Sequence, residues 1–219
     1  MKDAMKDAVG QPVDAERPYL LLLMAGLGFF GCMSMIGGTI AAQIVVPGHD
    51  WVADTISDLG AGEWEIIMDV ALYGFAAGLF AMALAASHAH LGGIGWSAGV
   101  VSLAILAALV VVVGARNEYG DGDDEGVVIH IYLVYGLGVL FLAAPLSMAA
   151  GFGRDHPKVR SALIGLAIAW GVSAPLFLMA PTSIDGLAER VLGLIACAIL
   201  AVMAWVFWQR GLDAREGRL

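Results

Sequence analysis

The hydrophobic pattern of the chain consists of long apolar runs separated by short polar segments. A helix that crosses the hydrocarbon core of a bilayer needs about 20 predominantly apolar residues. The runs that meet this length lie at residues 19–46, 65–87, 94–115, 127–151, 161–180 and 187–208. The pattern therefore predicts an all-α protein, a polytopic membrane helix bundle with six transmembrane helices. Short connections make successive helices antiparallel neighbours.

The same pattern divides the chain into an N-terminal tail at residues 1–18, a transmembrane domain at 19–209 and a C-terminal tail at 210–219. The first apolar run is longer than the about 7–15 residues of a secretory signal core, so we interpret it as a retained helix. Short loops and two tails leave no room for a separate soluble domain.

The distribution of Lys and Arg predicts the orientation. Nine of the 11 Lys and Arg residues lie on the side of the two tails, and the exceptions are Arg116 and Arg190. Cytoplasmic loops carry an excess of these residues, so we predict that both termini are cytoplasmic. The opposite, outer side carries 13 of the 20 acidic residues.

Composition excludes several classes of protein. Hydrophobic residues make up 60% of the chain and charged residues 14%, against about 25% charged residues in soluble domains. A mean hydropathy of +0.83 argues against a soluble enzyme or a disordered tail. The net charge of −9 argues against nucleic acid as a partner, because phosphate backbones would be repelled.

Two polar residues lie within the outer turns of predicted spans. Asp69 is in the second span and His130 is in the fourth, with Gln43 at a similar depth in the first. An ionisable group at membrane depth is costly and by default indicates a functional site or a buried partner. The alternatives are a hydrated Asp69 at the boundary and a His130 that is hydrogen-bonded inside the bundle.

The two outer arginines have two interpretations. Arg116 and Arg190 can bind a phosphate or carboxylate through paired hydrogen bonds. They can instead pair with Asp58 or Asp69, which the excess of acidic residues favours. The nearby segment Thr55-Ile-Ser-Asp58 has the spacing of a capping box that opens a short helix.

Metal and cofactor chemistry find little support in the sequence. Nitrogen and oxygen ligands are available on the outer side, but no HExxH or CxxC motif is present, so we predict no metal site and identify no cofactor. We expect Cys32 and Cys197, both inside predicted spans, to pack as small hydrophobic residues.

Three segments resemble a bacterial six-helix membrane family known as domain of unknown function 998. They are His49-Asp50 followed by Asp54-Thr-Ile-Ser-Asp-Leu-Gly60, an acidic loop followed by His130, and Gly186-Leu-Ala-Glu-Arg190. The first segment is also similar, over a short stretch, to the eukaryotic damage-regulated autophagy modulator family, whose relatives act in the handling of membrane lipids and lipid anchors. The main resemblance implies six helices, a polar outer site and a bacterial cytoplasmic (inner) membrane, without an activity.

These observations predict an outward-facing site that binds, moves or processes a lipid headgroup or a lipid-linked molecule. Its candidate residues are His49, Ser57, Asp58, Asp69, Arg116, His130, Glu189 and Arg190. The expected partner is a membrane lipid. A second hypothesis is a non-catalytic accessory subunit of a larger membrane complex, or a homo-oligomer. A third is a metal-assisted intramembrane hydrolase that uses the histidines and aspartates.

Overall fold

A computed structural model describes residues 16–115, 130–153 and 156–218. These residues form helices and no strand. The helices are α1 (Pro18–Val45), α2 (Ile56–Leu59), α3 (Glu65–Ala89), α4 (Ile94–Ala115), α5 (His130–Phe152), α6 (Pro157–Phe177) and α7 (Asp185–Arg215). All except the four-residue α2 are long and apolar enough to cross a membrane. The prediction of a multi-pass, all-α membrane protein with six spanning helices is confirmed.

Several helix boundaries differ from the apolar runs, and two of these differences have identifiable reasons. Helix α6 begins at Pro157 rather than at residue 161, because proline is well suited to the first helical position. Helix α7 continues to Arg215, past the end of its apolar run. Its last turns are held by the rest of the protein, since Arg210 forms an ion pair with Glu16 at 2.6 Å.

The spanning helices form a closed ring in chain order. Each of α1, α3, α4, α5, α6 and α7 packs against the next one, and α7 returns to pack against α1. Buried side chains such as Met82, Leu106 and Leu200 fill the interior. The ring closure places the loop that follows α1 beside the start of α7.

Close approach of backbones joins α1 to α3. A Cβ atom added at Gly31 would lie 3.1 Å from the Cα atom of Gly78 and 3.1 Å from the carbonyl oxygen of Gly74. Small residues allow membrane helices to approach in this way and gain packing energy. This contact fixes α1 firmly on one side and leaves its other side to face α7.

The described ends of both tails lie at the same end of the bundle. Besides the Arg210–Glu16 ion pair, the backbone N–H of Arg17 donates to Nε2 of His88, at the end of α3, at 2.9 Å. The opposite end, which we call the outer end following the charge prediction, carries the loop between α1 and α3 and the start of α7.

Candidate functional site

The loop after α1 is built around the short helix α2. The backbone N–H of Thr55 donates to the Asp58 carboxylate at 2.6 Å, and the N–H of Asp58 donates to the Thr55 hydroxyl oxygen at 3.0 Å. This capping box confirms the one predicted from the sequence. Ile56 and Leu59 are buried and pack with Met68 of α3. The loop is therefore an ordered part of the fold.

The first turn of α7 is hydrogen-bonded to the same loop. The N–H groups of Gly186 and Leu187 donate to the carbonyl oxygens of Ala53 and Val52 at 3.3 and 2.9 Å. A Cβ atom at Gly186 would lie only 2.1 Å from the carbonyl oxygen of Asp54. Glycine is required here because any side chain would push the loop away. We call residues 49–58 and 186–190 together the outer clasp.

Glu189 binds the start of α2 in the outer clasp. Its carboxylate accepts hydrogen bonds from the backbone N–H of Ile56, from the N–H of Ser57 at 3.3 Å and from the Ser57 hydroxyl at 3.0 Å. The first N–H groups of a helix have no partner within the helix. The Glu189 carboxylate of α7 is the acceptor for these N–H groups. It also places a negative charge at the N-terminus of the short helix, where the helix dipole favours one.

Arg190 links the loop, α1 and α7. Its guanidinium donates to the carbonyl oxygens of Asp54 and Gly186 at 2.8 and 2.9 Å. It also donates to Oε1 of Gln43 at 2.7 Å and lies 3.0 Å from Nε2 of His49. These four hydrogen-bond partners are uncharged. The carboxylates of Asp50, Asp54, Asp58 and Glu189 act on the guanidinium electrostatically.

His49 is enclosed by the clasp, with only 3% of its side chain exposed. Because Nε2 faces a guanidinium that can only donate, we assign the ring proton to Nδ1, which lies 3.8 Å from Oδ2 of Asp54. Burial lowers the pKa of His49; the nearby Asp54 carboxylate raises it and Arg190 lowers it. The neutral ring is thus the form that the clasp accommodates.

A groove runs from the outer clasp down the interface between α1 and α7. Its volume is about 400 Å³, within the roughly 300–1,000 Å³ of small-molecule sites. Its lining residues are Met35, Ile36, Thr39, Ile40, Gln43, Ile44, Trp51, Ile56, Arg190, Gly193, Leu194 and Cys197. We call it the α1–α7 groove. It is apolar over most of its length and ends on Gln43 and Arg190.

The family model described as protein of unknown function, DUF998, matches residues 23–206. The chain belongs to this family. The match includes the whole outer clasp and the α1–α7 groove. No curated protein matches the chain, and no solved structure matches it either. The likeness to the damage-regulated autophagy modulator family stays a prediction.

The outer clasp of this DUF998 protein brings together five of the predicted site residues. They are His49, Ser57, Asp58, Glu189 and Arg190. Their hydrogen bonds join two of the three segments that carry the family resemblance, residues 49–60 and 186–190. Their role in binding a ligand stays a prediction.

The other three predicted residues lie apart from these contacts or outside the described ranges. Asp69, in α3, makes no hydrogen bond with the clasp within the described part of the chain. His130 is buried at the start of α5, and its Nδ1 has no hydrogen-bond partner among the described residues. Arg116 and the acidic loop before His130 lie outside the described residues.

Sequence reasoning missed most of the groove. Thr39 and Gln43 are one helical turn apart on α1 and both line it, which is the one pattern that could have indicated a face with a special role. The apolar lining residues are indistinguishable in sequence from those that face lipid.

Cys32 and Cys197 are buried free thiols, and Cys32 Sγ donates to the Cys197 carbonyl oxygen at 3.3 Å.

Across residues 16–115, 130–153 and 156–218, no group of three or more His, Cys, Asp or Glu residues could hold a metal ion. At the outer end, the side chains of Arg190, Gln43 and Ser57 form hydrogen bonds, and the nearby carboxylates supply negative charge.

Proposed function

We propose that this protein binds a lipid or a lipid-linked molecule of the outer leaflet, in a bacterial cytoplasmic membrane. The hydrocarbon chain would lie in the α1–α7 groove, and the anionic part of the headgroup would lie against Arg190. The observation that carries this proposal is the Arg190 guanidinium, which donates hydrogen bonds to neutral groups and lines the polar end of an apolar groove.

The length of the groove suits a chain from one leaflet. From Gln43 to Met35 the groove follows α1 for eight residues, which is about 12 Å at the helical rise of 1.5 Å per residue. One leaflet provides about half of the roughly 30 Å hydrocarbon core. A chain that enters beside Gln43 would therefore reach close to the middle of the membrane at Cys197 and Met35.

The walls of the groove favour entry from the side. Ile40 and Ile44 of α1 and Leu194 of α7 line the groove and remain exposed on the surface of the bundle. Gly193 leaves space between the two helices, since a Cβ atom there would make only an ordinary contact at 3.7 Å with Ile56. A lipid could thus enter between α1 and α7 without opening the helix ring.

The electrostatics favour an anionic group at the top of this groove. A charged side chain near hydrocarbon is costly unless it is paired or hydrogen-bonded. Arg190 donates to the neutral Gln43 oxygen, and a phosphate oxygen in its place would be a negatively charged acceptor. Both bonds are charge-assisted through the guanidinium, but the phosphate adds an attraction between opposite charges that the neutral amide lacks.

The test is native mass spectrometry of protein extracted gently from its membrane. Gly193→Phe would fill the groove with an aromatic ring. Gly165→Phe is the matched control, since Gly165 of α6 has open space around it and does not line the groove. We expect wild type and Gly165→Phe to retain a bound lipid and Gly193→Phe to lose most of it. Equal lipid occupancy in all three proteins would contradict the proposal.

The other hypotheses stay predictions. Exposed apolar helix faces are what any lipid-facing surface requires, so they favour no particular protein partner, complex or homo-oligomer. The hydrolase hypothesis combines His49 with His130, and these two residues share no contact in the described structure.

A further inference from the structure

The carboxylates around Arg190 affect which charges a bound headgroup would carry. Asp50 and Asp54 belong to the loop whose Trp51 and Ile56 line the outer end of the groove, its mouth, and the Asp54 side chain is 43% exposed. Both act electrostatically on Arg190, as do Asp58 and Glu189. A ligand with a net negative charge would be attracted by one cation and repelled by several anions. A ligand that carries both signs would meet a partner for each.

We infer that the preferred ligand is a phospholipid whose headgroup carries an ammonium group next to its phosphate. This inference rests on the proposed function. The phosphate would lie against Arg190, and the ammonium group would lie against the carboxylates of Asp50 and Asp54 at the mouth of the groove.

The two carboxylates are held in place by the loop itself. Oδ1 of Asp50 accepts from the N–H of Val52 at 2.9 Å, and Oδ2 of Asp54 accepts from the N–H of Asp50 at 2.7 Å. Each carboxylate has further acceptor positions. Charges that are already positioned need little ordering when a ligand binds, which reduces the entropic cost of the contact.

Trp51 supplies a third element that suits an ammonium group. It lines the groove and is 56% exposed, between Asp50 and the rest of the loop. Cations are attracted to the face of an indole ring by about 0.5–1 kcal/mol at exposed sites. The mouth thus presents an arginine, an indole and two carboxylates within one short segment and its α7 neighbour.

The inference can be tested with the full-length protein in detergent micelles. Short-chain phosphatidylethanolamine and short-chain phosphatidylglycerol, which share a phosphate and differ in the ammonium group, are added in equal amounts. Native mass spectrometry then gives the ratio of the two complexes. We expect wild type to prefer phosphatidylethanolamine.

The variants are Asp50→Asn and Asp54→Asn, which keep an oxygen acceptor for the backbone N–H and remove the charge. Each should lower the ratio by about two- to fivefold, the effect of one exposed charge pair. Glu63→Gln is the matched control, because Glu63 is an exposed carboxylate of the same loop region that is not among the charges acting on Arg190. It should leave the ratio unchanged.

Several results would overturn the inference. One is a wild-type preference for phosphatidylglycerol, and another is an equal ratio in Asp50→Asn, Asp54→Asn and Glu63→Gln. A third is displacement of bound lipid by free phosphoethanolamine at the same concentration. This result would show that the headgroup is recognised without its acyl chains, so the ligand would not need to be a phospholipid. If wild type retains neither lipid, the proposed function itself fails, whereas retention with the wrong preference refutes only the headgroup assignment.

Discussion

Replacing Gly186 by alanine tests whether the outer clasp depends on close contact between α7 and the loop. The new Cβ atom would lie 2.1 Å from the carbonyl oxygen of Asp54 and 2.7 Å from its carbon, so the loop has to move. Movement would break three hydrogen bonds: those from the N–H groups of Gly186 and Leu187 to the carbonyl oxygens of Ala53 and Val52, and that from Arg190 to the carbonyl oxygen of Asp54. At about 1 kcal/mol for each bond, the loss is about 3 kcal/mol.

The expected net effect is smaller, because alanine favours a helix over glycine by up to about 1 kcal/mol. We therefore predict that Gly186→Ala destabilises the clasp by about 2 kcal/mol, which is about a 30-fold increase in the open population at 1.4 kcal/mol for each factor of ten. Amide hydrogen exchange of residues 50–60 in a bilayer disc measures this population directly.

The matched control is Gly165→Ala, where nothing lies within 4 Å of the added Cβ atom. It should be neutral or slightly stabilising and should leave exchange in the loop unchanged. Equal exchange of residues 50–60 in Gly186→Ala and Gly165→Ala would refute the reasoning that α7 and the loop hold each other.

Further predictions concern charge, protonation and helix packing. Glu189→Gln removes the charge that binds the start of α2 and should cost about 1.5–3 kcal/mol of clasp stability by hydrogen exchange, while the exposed Glu63→Gln should cost nothing measurable. Because the folded-state pKa of His49 is lowered, the unfolded state binds more protons, so clasp stability should be constant above about pH 6.5 and fall as the pH drops below it; His49→Gln should remove this dependence. Gly31→Leu forces α1 away from the backbone of α3 and should lower the free energy of unfolding by about 1–3 kcal/mol, measured by thermal unfolding. Gly37→Leu, with open space around it, should leave it unchanged.

The fold was largely predictable because bilayer thickness imposes one dominant length on the chain. Six apolar runs predict six helices, and the structure has them. The helix ends were less predictable, since they depend on local hydrogen bonds, ion pairs and proline positions. Helix α6 begins at Pro157, earlier than hydropathy indicates. Helix α7 continues beyond its apolar run, where Arg210 forms an ion pair with Glu16.

The candidate site was predictable only in its polar part. Thr55 and Asp58 have capping-box spacing, which is a local signal and is confirmed. The contact of Glu189 with Ser57 joins residues 132 positions apart, and a single sequence carries no record of such a pairing. Apart from the spacing of Thr39 and Gln43, the groove left no signal, because apolar residues such as Leu194 serve equally well against lipid or against a bound chain.

The most direct test of lipid binding in the α1–α7 groove is photocrosslinking with a phosphatidylethanolamine that carries a diazirine in its acyl chain. After irradiation in a bilayer, labelled peptides are mapped by mass spectrometry. The proposal predicts labels concentrated on residues 36–44 and 190–197, at a level well above that of the lipid-facing residues 168–176 of α6, and loss of this excess in Gly193→Phe. Uniform labelling of all exposed helix faces, unchanged in Gly193→Phe, would contradict it.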